Sequence, residues 1–401
     1  MQRRTFCKTL LAATGLVSVV RGAEANLRVG MIGLGRRGLG VHLPALNRLS
    51  GVTVAEICDV DRTRLAAASR LFENARMQSD FRMVLDNPNL DAVVVSVPQH
   101  WQEIIALAAV RAGKDVLCEA PFAFSAAGGR AVIREAERCG RIVAVMSENY
   151  ASAVCRTVCE RMRGGIIGAV KTVEVSLAPP ELELYKEKVV FGVPPEGLNY
   201  DMWCGPAPKE NYADARIKHH DLIRAHSIGI GGVQSDWIAF ALRCCPFKGL
   251  VRAEGTGKRP NHPLFDVWTD FNLTFSYEDG GTLRIGTGKP GVKFIGERGE
   301  ISVGEGYRVS CADKTALLAP RRPEEFVSEE MAEGNHAAFV RSIRTRRRPV
   351  YDGRSAEQVA LPAILGNFCL DYGTAVEWDY LKGRSRSDEV NRLLHRTLRL
   401  Y

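Results

Sequence analysis

The chain has 401 residues, 46% of them hydrophobic and 25% charged, which is enough to bury the cores of two domains and ordinary for a soluble globular protein. That excludes a fibre, a disordered chain and a multipass membrane protein. The formal charge of +8 is too mild to argue for nucleic acid.

The first 25 residues, "MQRRTFCKTLLAATGLVSVVRGAEA", combine a basic start, a modest apolar run and a small-residue ending, the three parts of a secretory signal. Arg3 to Lys8, "RRTFCK", resembles the twin-arginine export signal of bacteria. Leu10 to Val20 is too short and too weakly apolar to span a bilayer. The expectation is therefore cleavage after Ala25, export by the twin-arginine route and a periplasmic protein with no stable membrane insertion. That route carries folded proteins, which suits a chain that must capture a dinucleotide before it leaves the cytoplasm.

Residues 26–149 read as a dinucleotide-binding Rossmann domain. "NLRVGMIGLGRRGLG" gives a short apolar strand, then Gly33, Gly35 and Gly38 in G-x-G-x-x-G spacing around Arg36 and Arg37, then a helix-forming segment. Glycines there permit a tight turn and let backbone N–H groups approach a pyrophosphate at the helix start. A second strand, "VTVAEICD", ends at Asp59, at the distance where an acidic residue takes up the adenosine ribose hydroxyls. A carboxylate there favours NAD over NADP, whose 2′-phosphate it would repel.

The alternation continues through the strand "DAVVVSVP", the helix pattern "WQEIIALAAVRAG", the strand "DVLCEAP", the helix pattern "AAGGRAVIREAERCG" and the strand "RIVAVMSEN". This rhythm means a parallel, doubly wound sheet, whose ligands sit beyond the carboxyl ends of the strands, where Pro98, His100, Glu119 and Glu148 fall. Residues 150–401 then change period. "AVKTVEVSLA" and "DVWTDFNLTFSYEDGGTLRIG" alternate with period two, and Asp279-Gly280-Gly281 supplies a hairpin turn. A large, mostly antiparallel sheet with one buried face follows, and helical patterns at 335–347 and 354–373 should pack back on the chain. The fold class is thus α/β, a Rossmann domain plus an α/β domain with an open-faced sheet.

Of the eleven cysteines, Cys7 lies in the expected signal and the rest are scattered, with no spacing of zinc type and no metal site indicated. Cys155, Cys159, Cys244 and Cys245 read mostly as packing, although an oxidising compartment permits disulfides. The basic run "RTRRRP", Arg344 to Pro349, reads as a solvated helix end.

The order of these pieces resembles the Gfo/Idh/MocA oxidoreductases over nearly the whole mature chain. The residues that carry it are "VGMIGLGRRGLG", "ICDVD", "VVSVPQHW", "GKDVLCEAP", "GLNYDMWCGPAP", "FIGERGEISV", "NHAAFVRSIRTRRRPVYD" and "EWDYLKGRSRSDEVNRLL". The resemblance implies NAD(P), a homo-oligomer (dimer or tetramer), and a hydride moved to or from a carbon of a sugar, a sugar derivative or a cyclitol. Such chemistry needs a base for the hydroxyl proton. The family commonly places a lysine between Glu and Pro, and an Asp and a His on a later helix. Here Ala120 stands at the lysine position, Gly229 at the first aspartate and Val233 at the histidine, while Asp236 matches the last aspartate. Tyr150 replaces the arginines near the end of the sixth strand and Gln102 a histidine.

Substitutes lie in "ARIKHHDLIRAHS", where His219, His220, Asp221, Arg224 and His226 concentrate titratable groups. His219 or His220, oriented by Asp221 or Asp236, can serve as the base, with Tyr150 as the next candidate. Glu119 reads as a cofactor or substrate contact, and Trp203 either as a sugar-stacking side chain or as core. Three functions fit: an NAD-dependent oxidoreductase acting on a sugar or sugar derivative, an NAD-retaining redox glycosidase, or a non-catalytic protein that binds a dinucleotide or a sugar.

Overall fold

A computed structural model of the chain describes residues 26–230, 234–311 and 334–394. The expected export signal, residues 1–25, and Val233 lie outside the described residues. Six strands, β1 (Leu27–Ile32), β2 (Val52–Cys58), β3 (Arg76–Gln78), β4 (Ala92–Val95), β5 (Asp115–Cys118) and β6 (Val143–Val145), form a sheet in the order 3-2-1-4-5-6. All pair in parallel.

The strands are nearly continuous apolar runs because both faces are covered. Val93, Val95, Val116 and Val145 face one core, and Met31, Val94, Leu117 and Ala144 face the other. Leu43, Leu46 and Leu65 close the second face together with Phe339, Val340 and Ile343 on the helix Asn335–Thr345. The C-terminal part of the chain thus returns to complete the core of the first half.

After β7 (Val170–Leu177), a two-stranded ribbon of β8 (Phe191–Gly192) and β9 (Tyr212–Ala213) interrupts the sheet that β7 begins. That sheet continues with β10 (Leu250–Lys258), β11 (Asp270–Tyr277), β12 (Thr282–Thr287), β13 (Gly291–Gly296), β14 (Gly299–Gly304), β15 (Arg308–Cys311), β16 (Val376–Asp379) and β17 (Arg384–Ser385). Its order is β15-β14-β13-β7-β12-β11-β10-β16-β17, antiparallel throughout except for β7 beside β12. Val173, Val175, Leu273, Phe275, Leu283 and Ile285 are buried on one face, beneath the helices Ser235–Cys244 and Gly353–Tyr372. Glu174, Asn272, Arg284 and Lys293 occupy the alternate positions, which gives the polar face expected from period two. Gly280 takes the hairpin turn at φ +82.

Two sequence expectations change. Cys159 and Cys244 form a disulfide, tying the helix Ala153–Arg163 to the helix Ser235–Cys244. A separation of 85 residues hides such a pairing from local spacing. The basic run is only partly solvated. Arg346 pairs with both oxygens of the fully buried Asp115, Arg344 donates to the carbonyls of Ser50 and Gly51, and Arg348 pairs with Asp352. Arg344 and Arg346 fasten the returning helix to the Rossmann half, while Arg348 stays within the C-terminal segment.

Candidate active site

A cleft of about 640 Å³ opens where the strand order reverses, along the carboxyl ends of the parallel strands. Gly33 and Gly35 from the turn after β1, Asp59 from the end of β2, Pro98 after β4, Glu119 after β5 and Glu148 after β6 all line it. Met202, Trp203, Lys218, His220 and Asp236 line it from the second half of the chain.

The glycine turn has three distinct reasons for its three glycines. Gly33 sits at φ +95, and a Cβ there would meet the Ser96 carbonyl at 2.1 Å. Gly38 packs beneath the turn, where a Cβ would meet the Gly33 carbonyl at 2.1 Å. At Gly35 a Cβ would meet only the end of the Arg64 side chain at 3.6 Å. Packing therefore requires the first and third glycines, while the middle one leaves open a place in the cleft that a ligand can fill. That cradle fits a dinucleotide pyrophosphate.

Asp59 is nearly buried, and its carboxylate accepts the N–H of Leu34 at 2.6 Å and of Asp61 at 2.9 Å. Burial pushes its pKa up against these hydrogen bonds. Each oxygen keeps a lone pair for a ribose hydroxyl. The segment from Gly197 to Asn199 crosses beside it: Arg62 N–H donates to the Gly197 carbonyl and Asn199 N–H to the Val60 carbonyl, both at 2.9 Å. The second half of the chain is thereby pinned across the adenosine end.

At the other end of the cleft stands a charge cluster that the sequence reading did not assemble. Arg37 reaches from the glycine turn to pair with Glu119, and its Nη1 donates to Glu148 at 3.3 Å. Arg36 lines the cleft from the same turn. Glu119 also accepts from Nε2 of the fully buried His42 at 2.7 Å, and Nδ1 of His42 lies 2.9 Å from Nε2 of His336. Burial opposes ionisation of Glu119, but His42 and Arg37 outweigh it and hold its carboxyl below the usual range. Burial pushes the His336 imidazole down to about 4, so it meets His42 as a neutral ring. The sequence signal for this chain of contacts is the His42 that follows the glycine turn and the "NH" opening the helix Asn335–Thr345. Asn335 also grips Ser147, accepting its N–H at 3.3 Å and donating to its carbonyl at 3.1 Å.

Asp236 lies in the first turn of the helix Ser235–Cys244. Its Oδ2 accepts the Glu148 N–H at 3.2 Å, and the Ser147 hydroxyl holds the same carboxyl. Its Oδ1 is buried without a hydrogen-bond partner among the described residues. Burial, reinforced by Glu148 and Glu119, raises its pKa to about 6. A carboxyl of this strength on the wall of the cleft, with one buried oxygen unpartnered among the described residues, is suited to exchanging a proton near neutral pH.

The other expected site residues separate. His220 lines the cleft with a buried, unpartnered Nδ1, and burial lowers its pKa. His219 packs edge-on to Phe265 with ring centroids 6.0 Å apart and does not line the cleft. His100 is fully buried behind it, with Nε2 3.0 Å from the Trp203 carbonyl and its ring 4.6 Å from His226. Tyr150 is placed in the core, stacked on Tyr351 with ring centroids 4.3 Å apart beneath the Arg243 guanidinium. Burial pushes its hydroxyl up to about 12, which corrects its expected place among the acid–base groups. The reason is local: the helix that starts at Glu148 turns Tyr150 inward and leaves Glu148 at the cleft. Among the described residues no group of three metal-ligating side chains is gathered.

Comparison with known proteins shows what this half is similar to. Residues 27–147 match the model of an oxidoreductase family with an NAD-binding Rossmann fold. In this stretch the chain is similar to the Gfo/Idh/MocA oxidoreductases. The chain is 38% identical over 116 residues to inositol 2-dehydrogenase 2 of Saccharopolyspora erythraea, covering 29% of this chain and 34% of that protein. It is 30% identical over 132 residues to a glycosyl hydrolase family 109 protein of Shewanella, covering 30% of this chain and 28% of that one. The chain thus spans only about a third of the length of the curated relatives it matches. The likeness of fold runs further. The WlbA dehydrogenase of Bordetella pertussis, solved with NADH and UDP-GlcNAcA, superposes with a TM-score of 0.67 at 16% identity over 88% of this chain and 98% of that one. With Ala120 at the cleft, Arg37 is the cation that pairs with Glu119 among the described residues.

Proposed function

We propose that the protein is an NAD-dependent oxidoreductase that acts on a sugar or sugar derivative, with Asp236 as its acid–base group. Gly33, Gly35 and Arg36 would hold the pyrophosphate, Asp59 the adenosine ribose, and Pro98, Glu119 and Glu148 would border the nicotinamide end. The cofactor, when bound, supplies the hydride acceptor or donor. The observation that carries the reading is the placement of Asp236, whose unpartnered Oδ1 and pKa of about 6 share a cleft with the glycine turn. Above that pH the carboxylate takes the proton of a substrate hydroxyl as the carbonyl forms, and in the reverse direction the protonated acid returns it. The Glu148 N–H holds Oδ2 and the Ser147 hydroxyl holds the same carboxyl; Oδ1, buried and unpartnered among the described residues, is the oxygen assigned to the substrate hydroxyl. His220, kept neutral by burial, borders the same space and can accept a second hydroxyl hydrogen bond.

The test is a screen of neutral sugars and glycosides with the chain from Asn26, following nicotinamide absorbance, with Asp236→Asn beside the wild type. Turnover lost by two to four orders of magnitude in the variant, with NAD binding kept, supports the assignment. Unchanged turnover sinks it.

A second reading, an NAD-retaining redox glycosidase, is favoured by the segment pinned across the adenosine end and by the similarity to a glycosyl hydrolase family 109 protein. Turnover without added cofactor distinguishes it. We also propose export by the twin-arginine route; the Cys159–Cys244 disulfide supports it, because such bonds persist in oxidising compartments.

A further inference from the structure

The two ends of the cleft differ in charge. At the adenosine end Asp59 and Asp61 face Arg64. At the far end three carboxylates converge from three elements: Glu119 after β5, Glu148 after β6 and Asp236 at the start of the helix Ser235–Cys244. Among the described residues the cation paired with them is Arg37, shared by Glu119 and Glu148. Asp236 accepts the Glu148 N–H at 3.2 Å and makes no ion pair among the described residues. The far end therefore carries a negative excess, and it is the end toward which a dinucleotide fixed at Asp59 directs its nicotinamide.

The two redox forms of that cofactor differ in the charge at that ring. The oxidised ring is a cation and the reduced ring is neutral, while the phosphates are the same in both. We infer that Glu119, Glu148 and Asp236 make this site hold the oxidised cofactor more tightly than the reduced one. The inference rests on the NAD reading above and adds a resting state to it: the cofactor rests oxidised, and its reduction in the site is less favourable than in solution by the same factor.

The preference depends on pH because Asp236 gains a proton below about 6. The groups around it are Ser147 and Glu148 beyond β6, Glu119 beyond β5, and Arg37 from the glycine turn. Tyr150, Tyr351, Tyr307 and Cys155 pack nearby, and burial raises the pKa of each, so they stay neutral. From the opposite wall Lys218 and Asp221 oppose one another in sign, and His220 is pushed toward its neutral form. His42 and His336 reach the cluster only through Glu119. Acidification thus removes one negative charge at Asp236 and narrows the preference.

The experiment measures Kd for NADH by its fluorescence and for NAD+ and ADP-ribose by competition, at pH 7.5 and pH 5, for the wild type, Glu148→Gln and Asp236→Asn. ADP-ribose lacks the nicotinamide and so reports the integrity of the rest of the site. The expected result is a preference for NAD+ over NADH of roughly tenfold at pH 7.5, the size of one partly screened charge contact. It shrinks about threefold or more at pH 5 and in either variant, with ADP-ribose affinity in the variants unchanged. Should Asp236→Asn fail to fold, the pH series and Glu148→Gln decide the question. An equal affinity for both forms, or a ratio unmoved by pH and by both variants while ADP-ribose still binds, would overturn the inference. Failure to bind any of the three ligands would overturn the cofactor reading itself, and the inference with it.

Discussion

Arg346 places Nη1 2.9 and 2.8 Å from the two oxygens of Asp115, a fully buried carboxylate at the start of β5. Asp115 also accepts the Ile142 N–H at 2.8 Å, so one side chain joins β5, the entry to β6 and the returning C-terminal helix. Replacing Arg346 by Ala leaves that carboxylate short of its charged partner. Because the guanidinium is half exposed and water can enter, the expected loss is about 1–3 kcal/mol of unfolding free energy. Arg347→Ala, which removes a side chain that makes no hydrogen bond or ion pair among the described residues, should move the denaturation midpoint little.

The glycine turn separates stability from binding. Gly33→Ala meets the Ser96 carbonyl at φ +95 and should destabilise the fold by about 2 kcal/mol or more. Gly35→Ala has room for its methyl group within the protein. It should melt within a few degrees of the wild type yet bind NADH at least tenfold more weakly. A Gly35→Ala protein with full NADH affinity would show that nothing occupies that cradle.

Asp236 ties activity and stability to the same titration. For substrate oxidation, kcat/KM should rise with pH through a limb near 6 that Asp236→Asn removes. For stability, the folded pKa of about 6 lies above that of an ordinary aspartate, so the folded state binds the proton more tightly. Stability from this group is therefore full at pH below about 4, falls as pH rises to about 6, and stays reduced above it. Asp236→Asn should melt at the wild-type temperature at pH 4 and higher than wild type at pH 7.5. The same melting difference at both pH values would contradict the assignment.

The disulfide between Cys159 and Cys244 closes a long loop around β7 and the ribbon that follows. Cys159→Ser should cost about 2–4 kcal/mol. Periplasmic material should contain the bond, as read by mass spectrometry of unreduced peptides, whereas a chain made in a reducing cytoplasm should lack it.

The fold and the cofactor half were legible because their signals are local. A strand, three glycines and an acidic residue at the end of the next strand lie within a short stretch from Leu27 to Asp59, and period-two alternation marks β7, β11 and β12. Asp236 was found through its motif match, and its function-bearing surroundings were not. The Glu119–His42–His336 chain spans 294 residues between its two imidazoles, and no spacing rule links them. Tyr150 was misplaced for the opposite reason: sequence put it at a strand end, but a single helical turn carries its ring into the core. The histidine-rich run showed its residue types and not its facing, so His219 and His220 looked alike although only His220 lines the cleft.

The central claim is that this cleft is a working dinucleotide site. It is tested most directly by native mass spectrometry of the chain from Asn26, as purified and after incubation with NAD. One NAD per chain, present at the start or gained on incubation and absent from Gly35→Ala, is the expected result. A spectrum that shows only the bare chain before and after would contradict it.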